Sequence, residues 1–451
     1  MLTNKLLNDY SRSCHLTELG NKLNDLENDI GIVDKKLDFK NLVNPSQSKD
    51  MPFYSWGRYR EAYSGELVSR LLEIADVDPM KNFIFDPMCG SGSTLVASEQ
   101  MGFDALGIDV MPYSVKLTNS KFLSLTEEEI SLVKSIISRP APLSEAFSKS
   151  HTKKYAGMEN YFSQTNFKQI ISIKTMIDGI GNSKVKSLNL VAWLSILEAC
   201  SDKKKDGNGL AKRISKVSDC WDLFTRTLNQ YLEDISSKTV NGCNTLAICD
   251  SALNSAEIVS KYPTEKSLGA IVFSPPYANS FDYFESYKIE LVMGGWFTLK
   301  SLPEGRTKAI RSYRKGYRDK KLESKDQLIN LICEEIETRR KKKEENGKKD
   351  GRSRLLPNLI VGYFEDMENV LKEFKEIMPS GSSCFIVVDQ SAYLGTVVPT
   401  DLILAYLAKK LDFIVKPLMY CRGSSTSPQQ LKKFPYLKGM LRESIVHLIQ
   451  P

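Results

Sequence analysis

Histidine, paired cysteines and long apolar stretches are all scarce in this sequence. Its 451 residues include three histidines, and its nine cysteines are dispersed along the chain. A zinc site and histidine-based catalysis are therefore not expected, and a scattered, odd set of cysteines fits a reducing compartment better than a disulfide framework. No apolar run approaches the roughly 20 residues that span a bilayer, and the first residues contain no signal-peptide core. We therefore predict a soluble, cytoplasmic protein without a metal site.

Positive charge is concentrated in one segment of the chain. The net charge is +7, yet residues 306–354 contain 18 Lys and Arg against 9 Asp and Glu. The rest of the chain is thus close to neutral, which indicates a local contact with a polyanion rather than a general affinity for one. The candidate phosphate contacts are Arg339, Arg340, Lys341, Lys342 and Lys343. A solvated surface without a partner is the alternative interpretation of this run.

Short apolar runs of strand length recur along the chain. Seven runs have strand character, namely NFIF, DALGIDV, NTLAICD, GAIVF, CFIVVDQ, DFIVKPLMY and ESIVHLI. Amphipathic helical stretches, such as YFEDMENVLKEFKEIM and TDLILAYLAKKL, alternate with the later runs. This alternation predicts an α/β fold with a mostly parallel sheet and helices on both faces.

The run FDPMCGSGST places a glycine-rich turn between a strand and a helix. Glycines there let the backbone approach a ligand closely, and the helix N-terminus supplies free N–H groups. Asp109 ends the next strand about 20 residues later, where a carboxylate can accept hydrogen bonds from two ribose hydroxyls. Since no Gly-Lys-Ser/Thr follows, the turn is not a nucleoside-triphosphate loop; a nicotinamide dinucleotide remains a rival, although the GxGxxG pattern is out of register.

The tetrapeptide SPPY, residues 274–277, directly follows another strand. Its two prolines fix the backbone and remove two N–H donors, which leaves carbonyl acceptors held in place. The Ser274 side chain and the Pro275 carbonyl can hold the two N–H bonds of an exocyclic base amine and free its lone pair. Tyr277 can stack on a base that has left the duplex. A Pro-Pro loop that merely ends a strand is the simpler alternative.

Together the two motifs resemble motifs I and IV of the class I S-adenosylmethionine-dependent amino-methyltransferases of nucleic acids. The resemblance implies a Rossmann-like fold with a seven-stranded sheet, S-adenosylmethionine as cofactor, and a catalytic set of Ser274, Pro275, Pro276 and Tyr277. The run AICDSAL resembles motif III, and the tyrosines before the glycine turn resemble the segment that closes over the methionine tail of the cofactor. The implied cofactor contacts are Tyr59, Tyr63, Asp86, Pro87, Cys89, Gly90, Ser91, Gly92, Asp109, Val110, Asp250 and Ser251. Tyr283 joins the basic run as a candidate nucleic-acid contact.

On this basis the chain divides into six segments. Residues 1–50 form an N-terminal helical extension, and 51–113 form the cofactor-binding half of the methyltransferase domain. Residues 114–240 form a helical insertion that is a candidate for target recognition, and 241–300 form the catalytic half. Residues 301–356 form a basic insertion, and 357–451 form the remainder of the sheet.

The resemblance implies a DNA methyltransferase of a modification or defence system, which could act with partner subunits. Serine in the first position of SPPY is typical of enzymes that methylate cytosine N4, whereas aspartate or asparagine is more usual for adenine N6. Many N4-cytosine enzymes place SPPY before the cofactor motif, and this chain has the reverse order. An adenine-N6 DNA enzyme, an RNA methyltransferase acting on guanine N2 or adenine N6, and a catalytically silent nucleic-acid-binding subunit are the alternatives.

Overall fold

The computed structural model describes residues 7–44, 46, 48, 50–57, 59, 62–142, 155–207, 209–238, 242–313, 322–347, 351 and 353–451. Its strands are β1 (Ile32–Asp34), β2 (Asn82–Asp86), β3 (Asp104–Asp109), β4 (Lys203–Asp206), β5 (Gly209–Lys212), β6 (Thr245–Cys249), β7 (Ser267–Phe273), β8 (Ser383–Asp389), β9 (Ser391–Tyr393), β10 (Thr396–Val398), β11 (Ile414–Val415), β12 (Leu418–Gly423) and β13 (Arg442–Ile449).

The first nine helices carry the chain from the N-terminus to β6. They are α1 (Thr17–Ile30), α2 (Lys36–Phe39), α3 (Gly65–Ala75), α4 (Ser93–Gln100), α5 (Pro112–Lys121), α6 (Glu127–Ile137), α7 (Gln164–Asp178), α8 (Ser183–Cys200) and α9 (Cys220–Ser236). The later ones are α10 (Ser255–Ser260), α11 (Tyr283–Ser286), α12 (Lys288–Met293), α13 (Leu302–Gly305), α14 (Gln327–Glu345), α15 (Leu356–Ile377), α16 (Thr400–Lys410) and α17 (Pro428–Lys433). None of the helices in the described part of the chain combines the length and hydropathy that a bilayer crossing requires.

One twisted sheet organises the fold, with strand order β1-β12-β13-β8-β7-β2-β3-β6 and β11 paired to β13. Strands β6, β3, β2, β7 and β8 pair in parallel, and β13 runs antiparallel to β8, β11 and β12. The order reverses between β2 and β7, which is where parallel α/β sheets place their ligands. The predicted mostly parallel α/β architecture is confirmed, and it is consistent with a Rossmann-like methyltransferase fold.

The predicted count of seven strands is wrong, because nine of the described strands belong to this sheet. The run DFIVKPLMY is divided into β11 and β12 at Pro417, since proline has no N–H to donate to a ladder. Strand β1 of the N-terminal extension pairs in parallel with β12 and lengthens the sheet. The extension is also fastened by the buried Arg442, which binds Glu27 of α1 and Asp401 of α16. Segment 1–50 is therefore part of the sheet domain, not only a helical appendage.

Alternate side chains of the central strands face two different helical layers, as the two-residue period of a strand requires. Phe85 of β2 and Phe273 of β7 both form edge-to-face contacts with Phe374 on α15. Ile84 and Val272 point to the opposite layer, where the apolar side of α3 covers them. Both faces of the sheet are thus buried, which removes apolar area from water and keeps the strand ends in fixed positions.

Segment 114–240 builds a second apolar core from α6, α7, α8 and α9. The predicted helical character is present, and the segment also contains the hairpin of β4 and β5. An Asp-Gly pair at the turn favours such hairpins, and Gly207 has φ +48°. The predicted boundary also moves, since α5 begins at Pro112 and packs against β6 as part of the main fold.

Candidate active site

The carboxyl ends of β2, β3, β6 and β7 meet around a cavity of about 420 Å³, called the first cavity below. It is lined by sixteen of the residues proposed from the sequence: Tyr59, Tyr63, Asp86, Pro87, Cys89, Gly90, Ser91, Asp109, Val110, Asp250, Ser251, Ser274, Pro275, Pro276, Tyr277 and Tyr283. Gly92 does not line it; with φ +83° it precedes α4, and a Cβ there would lie 2.6 Å from Thr118. The role of Gly92 is therefore to let the turn pack on α5.

The glycine-rich turn is held close to the end of β3. Asp109 accepts hydrogen bonds from the backbone N–H of Gly90 at 3.0 Å and of Met111 at 2.8 Å. Burial raises the pKa of Asp109 to about 6. Gly90 has φ +51°, and a Cβ there would approach the Tyr59 ring to 3.1 Å. The turn therefore exposes backbone at this point, where a larger residue would narrow the cavity.

Two side chains of α5 hold the carbonyls of the same turn. Thr118 donates to the carbonyl of Gly90 at 3.1 Å, and Lys121 donates to that of Ser91 at 2.5 Å. Lys121 is 1% exposed, and burial lowers its pKa to about 7. Sequence reasoning missed both residues, because neither belongs to a local motif.

Asp86 lies in a buried network at the end of β2. Its carboxylate accepts from the backbone N–H of Met88 at 3.0 Å, from Thr94 at 2.5 Å and from the Tyr63 hydroxyl at 3.3 Å. Burial raises the pKa of Asp86 to about 7, and the negative charge of Asp109 adds to the shift. A cationic group near Asp86 would therefore favour loss of its proton and the charged carboxylate.

The helical insertion anchors the segment that carries Tyr59. The indole of Trp56 stacks on Tyr231 of α9 with ring centroids 3.9 Å apart, and its Nε1 donates to Asp234 at 2.6 Å. Tyr59 itself stacks on Tyr287 at 4.8 Å. The insertion thus supports one wall of the first cavity, a role that its sequence did not indicate.

Asp250 directly follows β6 and lines the cavity. Its Oδ1 accepts from the backbone N–H of Ser251 at 2.7 Å and from the Asn254 amide at 2.9 Å. The backbone N–H of Asp250 donates to the carbonyl of Asp109 at 3.2 Å. These bonds align the ends of β3 and β6, which brings the two carboxylates to one rim.

The SPPY segment closes the cavity beyond β7. Pro275 is buried, while Ser274, Pro276 and Tyr277 are half-buried. The Tyr277 hydroxyl donates to Glu443 at 3.2 Å, and Arg422 holds the other oxygen of that carboxylate at 2.5 Å. The tyrosine ring is therefore fixed from behind by β12 and β13, which sequence reasoning did not identify.

Further lining residues come from segments without a readable motif. Asp389 ends β8, accepts a hydrogen bond from Ser424 at 2.7 Å, and has its pKa raised by burial to about 7. Lys308, Ala309, Ile310, Ser312 and Tyr313 of the basic insertion supply another wall. The acidic residues of β8 and β13 could have been suspected from their position at strand ends, but nothing local distinguishes them from surface carboxylates.

The basic run lies away from the first cavity, and its members differ from one another. Arg339 is nearly buried and binds Glu335, the carbonyls of Ser13 and Leu394, and the Tyr436 hydroxyl. Its proposed role as a phosphate contact is corrected, because these partners use its guanidinium to join α14 to the rest of the fold.

The other cations of the run have different surroundings. Arg340 is paired with Glu337 and Glu344 along α14, whereas Lys341 and Lys342 point outward from the fold. Lys343 borders a second, separate cleft. The helix therefore presents Lys341 and Lys342 outward for a polyanion, whereas Arg339 and Arg340 are held by carboxylates.

The chain is similar over most of its length to proteins named Type II methyltransferase. M.AvaI of Nostoc sp. is 26% identical over 434 residues, which cover 87% of this chain and 86% of the relative. M.BsoBI of Geobacillus stearothermophilus is 25% identical over 474 residues, with 92% of this chain and 89% of the relative covered. M.MvaI of Kocuria varians is 20% identical, with 77% and 79% covered. No family model matches the chain.

Proposed function

We propose that this chain is a site-specific DNA methyltransferase that uses S-adenosylmethionine and methylates an exocyclic amino group, with cytosine N4 as the target atom. One observation carries the proposal. The glycine-rich turn with its two carboxylates and the SPPY segment, which are about 180 residues apart in sequence, line a single cavity at the switch point of the sheet.

The polar groups of the first cavity fit S-adenosylmethionine. Asp109 keeps lone pairs beyond the two backbone N–H groups that it accepts from, so that it can also accept from ribose hydroxyls. Asp86 suits the amino group of the methionine tail, because a nearby cation favours its charged form. Asp250, which also lines the cavity, suits the amino group of the adenine as an acceptor. The bound cofactor would supply an electrophilic methyl group on a sulfonium.

The SPPY segment suits the acceptance of that methyl group by a base amine. The Ser274 hydroxyl and the Pro275 carbonyl offer two acceptors, which hold the N–H bonds and direct the nitrogen lone pair. The hydrogen bond from Tyr277 to Glu443 presents the tyrosine face to a flipped base. Catalysis here depends mainly on positioning, so a histidine base is not required.

DNA as the substrate is supported by the similarity to proteins named Type II methyltransferase over most of their length. The same names support a place in a restriction-modification system, in which partner proteins could take part. Cytosine N4 is proposed over adenine N6 because the first position of the tetrapeptide is a serine, whose neutral hydroxyl accepts more weakly than a carboxylate.

The test is nucleoside mass spectrometry on DNA and RNA incubated with the purified protein and isotope-labelled S-adenosylmethionine. The proposal expects labelled N4-methylcytosine in DNA. Labelled N6-methyladenine in DNA would replace cytosine N4 by adenine N6 as the target atom, and the protein would still be assigned as a DNA methyltransferase. Label in RNA alone would assign the protein as an RNA methyltransferase. No label in either, together with retained DNA binding, would identify a catalytically silent subunit.

A further inference from the structure

A second cleft, of about 610 Å³, lies on the other side of Tyr277. It shares Tyr277, Asn279 and Asp389 with the first cavity, so the two are neighbours across the catalytic loop. Its remaining lining is mostly polar and comes from the turn after β8, the β9 strand and the segment between β12 and β13. The polar residues among these are Gln390, Ser391, Ser425, Thr426, Ser427, Gln429, Gln430 and Lys433.

Four hydrogen-bonding groups that border this cleft have no partner within the part of the chain that the structure describes. Among the described residues, the buried atoms Asp389 Oδ1, Gln390 Oε1, Ser391 Oγ and Gln430 Oε1 have no hydrogen bond. Gln390 is 4% exposed and Ser391 6% exposed. A buried polar atom without a partner is uncommon and lowers stability, so a group of four around one cleft indicates a ligand.

The hydrogen bonds of the two glutamine amides show which of their polar atoms remain available to a ligand. Gln390 Nε2 donates to Asp401 at 2.7 Å, and Gln430 Nε2 donates to the carbonyl of Ala392 at 2.8 Å. Because these bonds occupy the two nitrogen atoms, each Oε1 is the group with unused hydrogen-bonding capacity beside the cleft, and it is an acceptor. Acceptors match the amino groups of nucleic-acid bases, which are donors on cytosine, adenine and guanine.

We propose that the second cleft binds the nucleotides adjacent to the target base and reads their amino groups. This inference rests on the proposed function, and it assigns target recognition to the β8–β9 turn and the β12–β13 segment. A base stacked on Tyr277 has its neighbouring nucleotides within reach of the cleft, since that residue borders both cavities. Lys343 and Lys433 border the same cleft and suit the phosphates of that strand.

Ser391→Ala is the sharpest test, because its hydroxyl makes no hydrogen bond within the described residues. Removing it leaves the free energy of unfolding unchanged or slightly increased. Thr396→Val is the matched control: its hydroxyl is also buried and unpartnered within the described chain, on β10, but it does not line the cleft. Both variants are assayed on a randomised duplex library, with sequencing of the methylated positions.

We expect Ser391→Ala to lower kcat/KM for DNA about three- to tenfold and to relax the sequence preference next to the methylated base. Its affinity for S-adenosylhomocysteine stays at the wild-type value, and Thr396→Val behaves as wild type in every assay. Equal rates and equal sequence preference in Ser391→Ala and wild type overturn the assignment of the cleft. A wild-type protein that methylates no DNA refutes the proposed function, and the assignment of the cleft with it.

Discussion

The two cavities that meet at Tyr277 differ in whether their polar groups already have hydrogen-bond partners. In the first cavity, Asp86 and Asp109 already accept hydrogen bonds from backbone N–H groups. In the second cleft, Gln390 and Ser391 carry buried atoms that have no partner within the described chain. Groups that are bonded before a ligand arrives hold their geometry, so the first cavity is preorganised and the second is completed by its ligand. Variants of the first should therefore change cofactor affinity, and variants of the second should change the response to DNA.

Asp109→Ala should have the largest effect, since it removes the acceptor from the preorganised cavity. Hydrogen bonds to a charged group contribute about 1.5–3 kcal/mol each, so the absence of two should weaken S-adenosylhomocysteine binding at least about 100-fold. Isothermal titration calorimetry measures this effect. Asp109→Asn keeps the shape of the side chain and one acceptor oxygen, so its affinity for S-adenosylhomocysteine should lie between those of the wild type and Asp109→Ala. An Asp109→Ala protein that binds with wild-type affinity would show that this carboxylate does not hold the ligand.

Ser274→Ala should separate catalysis from cofactor binding within the first cavity. Removing one acceptor for the target amine should lower kcat about 10- to 100-fold, because the bond matters most when the nitrogen lone pair is freed. Single-turnover methylation of DNA measures the rate, and calorimetry with S-adenosylhomocysteine serves as the control. A matching decrease in cofactor affinity would assign Ser274 to cofactor binding instead.

Low pH should weaken cofactor binding in the first cavity, because protonation removes the charge of its two buried carboxylates. Burial raises the pKa of Asp109 to about 6 and that of Asp86 to about 7. Because both must be charged to bind, cofactor affinity should be constant above about pH 8 and decrease as the pH falls through 7 and 6. The expected decrease is about tenfold at pH 5 for Asp109 alone, which is then one unit below its pKa.

Calorimetry in buffers of different ionisation enthalpy tests the same coupling. Binding at pH 7 should release protons, since the amino group of the ligand favours the charged form of Asp86. Asp86→Asn should abolish most of this proton release. Proton uptake on binding would contradict the assignment of Asp86 to the amino group.

How much of this site could be predicted depends on whether its parts are local in sequence. The glycine-rich turn and SPPY are local, because glycine and proline fix backbone conformations that a short motif encodes. Lys121 and Glu443 are not local, since each acts on a residue that only the fold brings near it. Within the basic run, Arg339 was misinterpreted for a related reason. Its charge suggested a surface, yet the helical period places Arg339 on the same side as the buried Ile332 and Glu335.

Replacing the lysines of α14 should have the smallest effect. These lysines touch neither carboxylate of the first cavity, so their variants test DNA binding separately from cofactor binding. Replacing Lys341, Lys342 and Lys343 with glutamine should reduce the slope of log affinity against log salt by about 0.9 for each phosphate that is no longer neutralised. Affinity at low salt should fall for all sequences alike, because phosphate contacts carry no base information. Arg340→Gln is the matched control, since Arg340 is already paired with Glu337 and Glu344 and should leave the slope unchanged. An unaltered salt slope in the triple variant would indicate that this run is a solvated surface. The recognition of DNA would then be assigned to the second cleft and the catalytic loop.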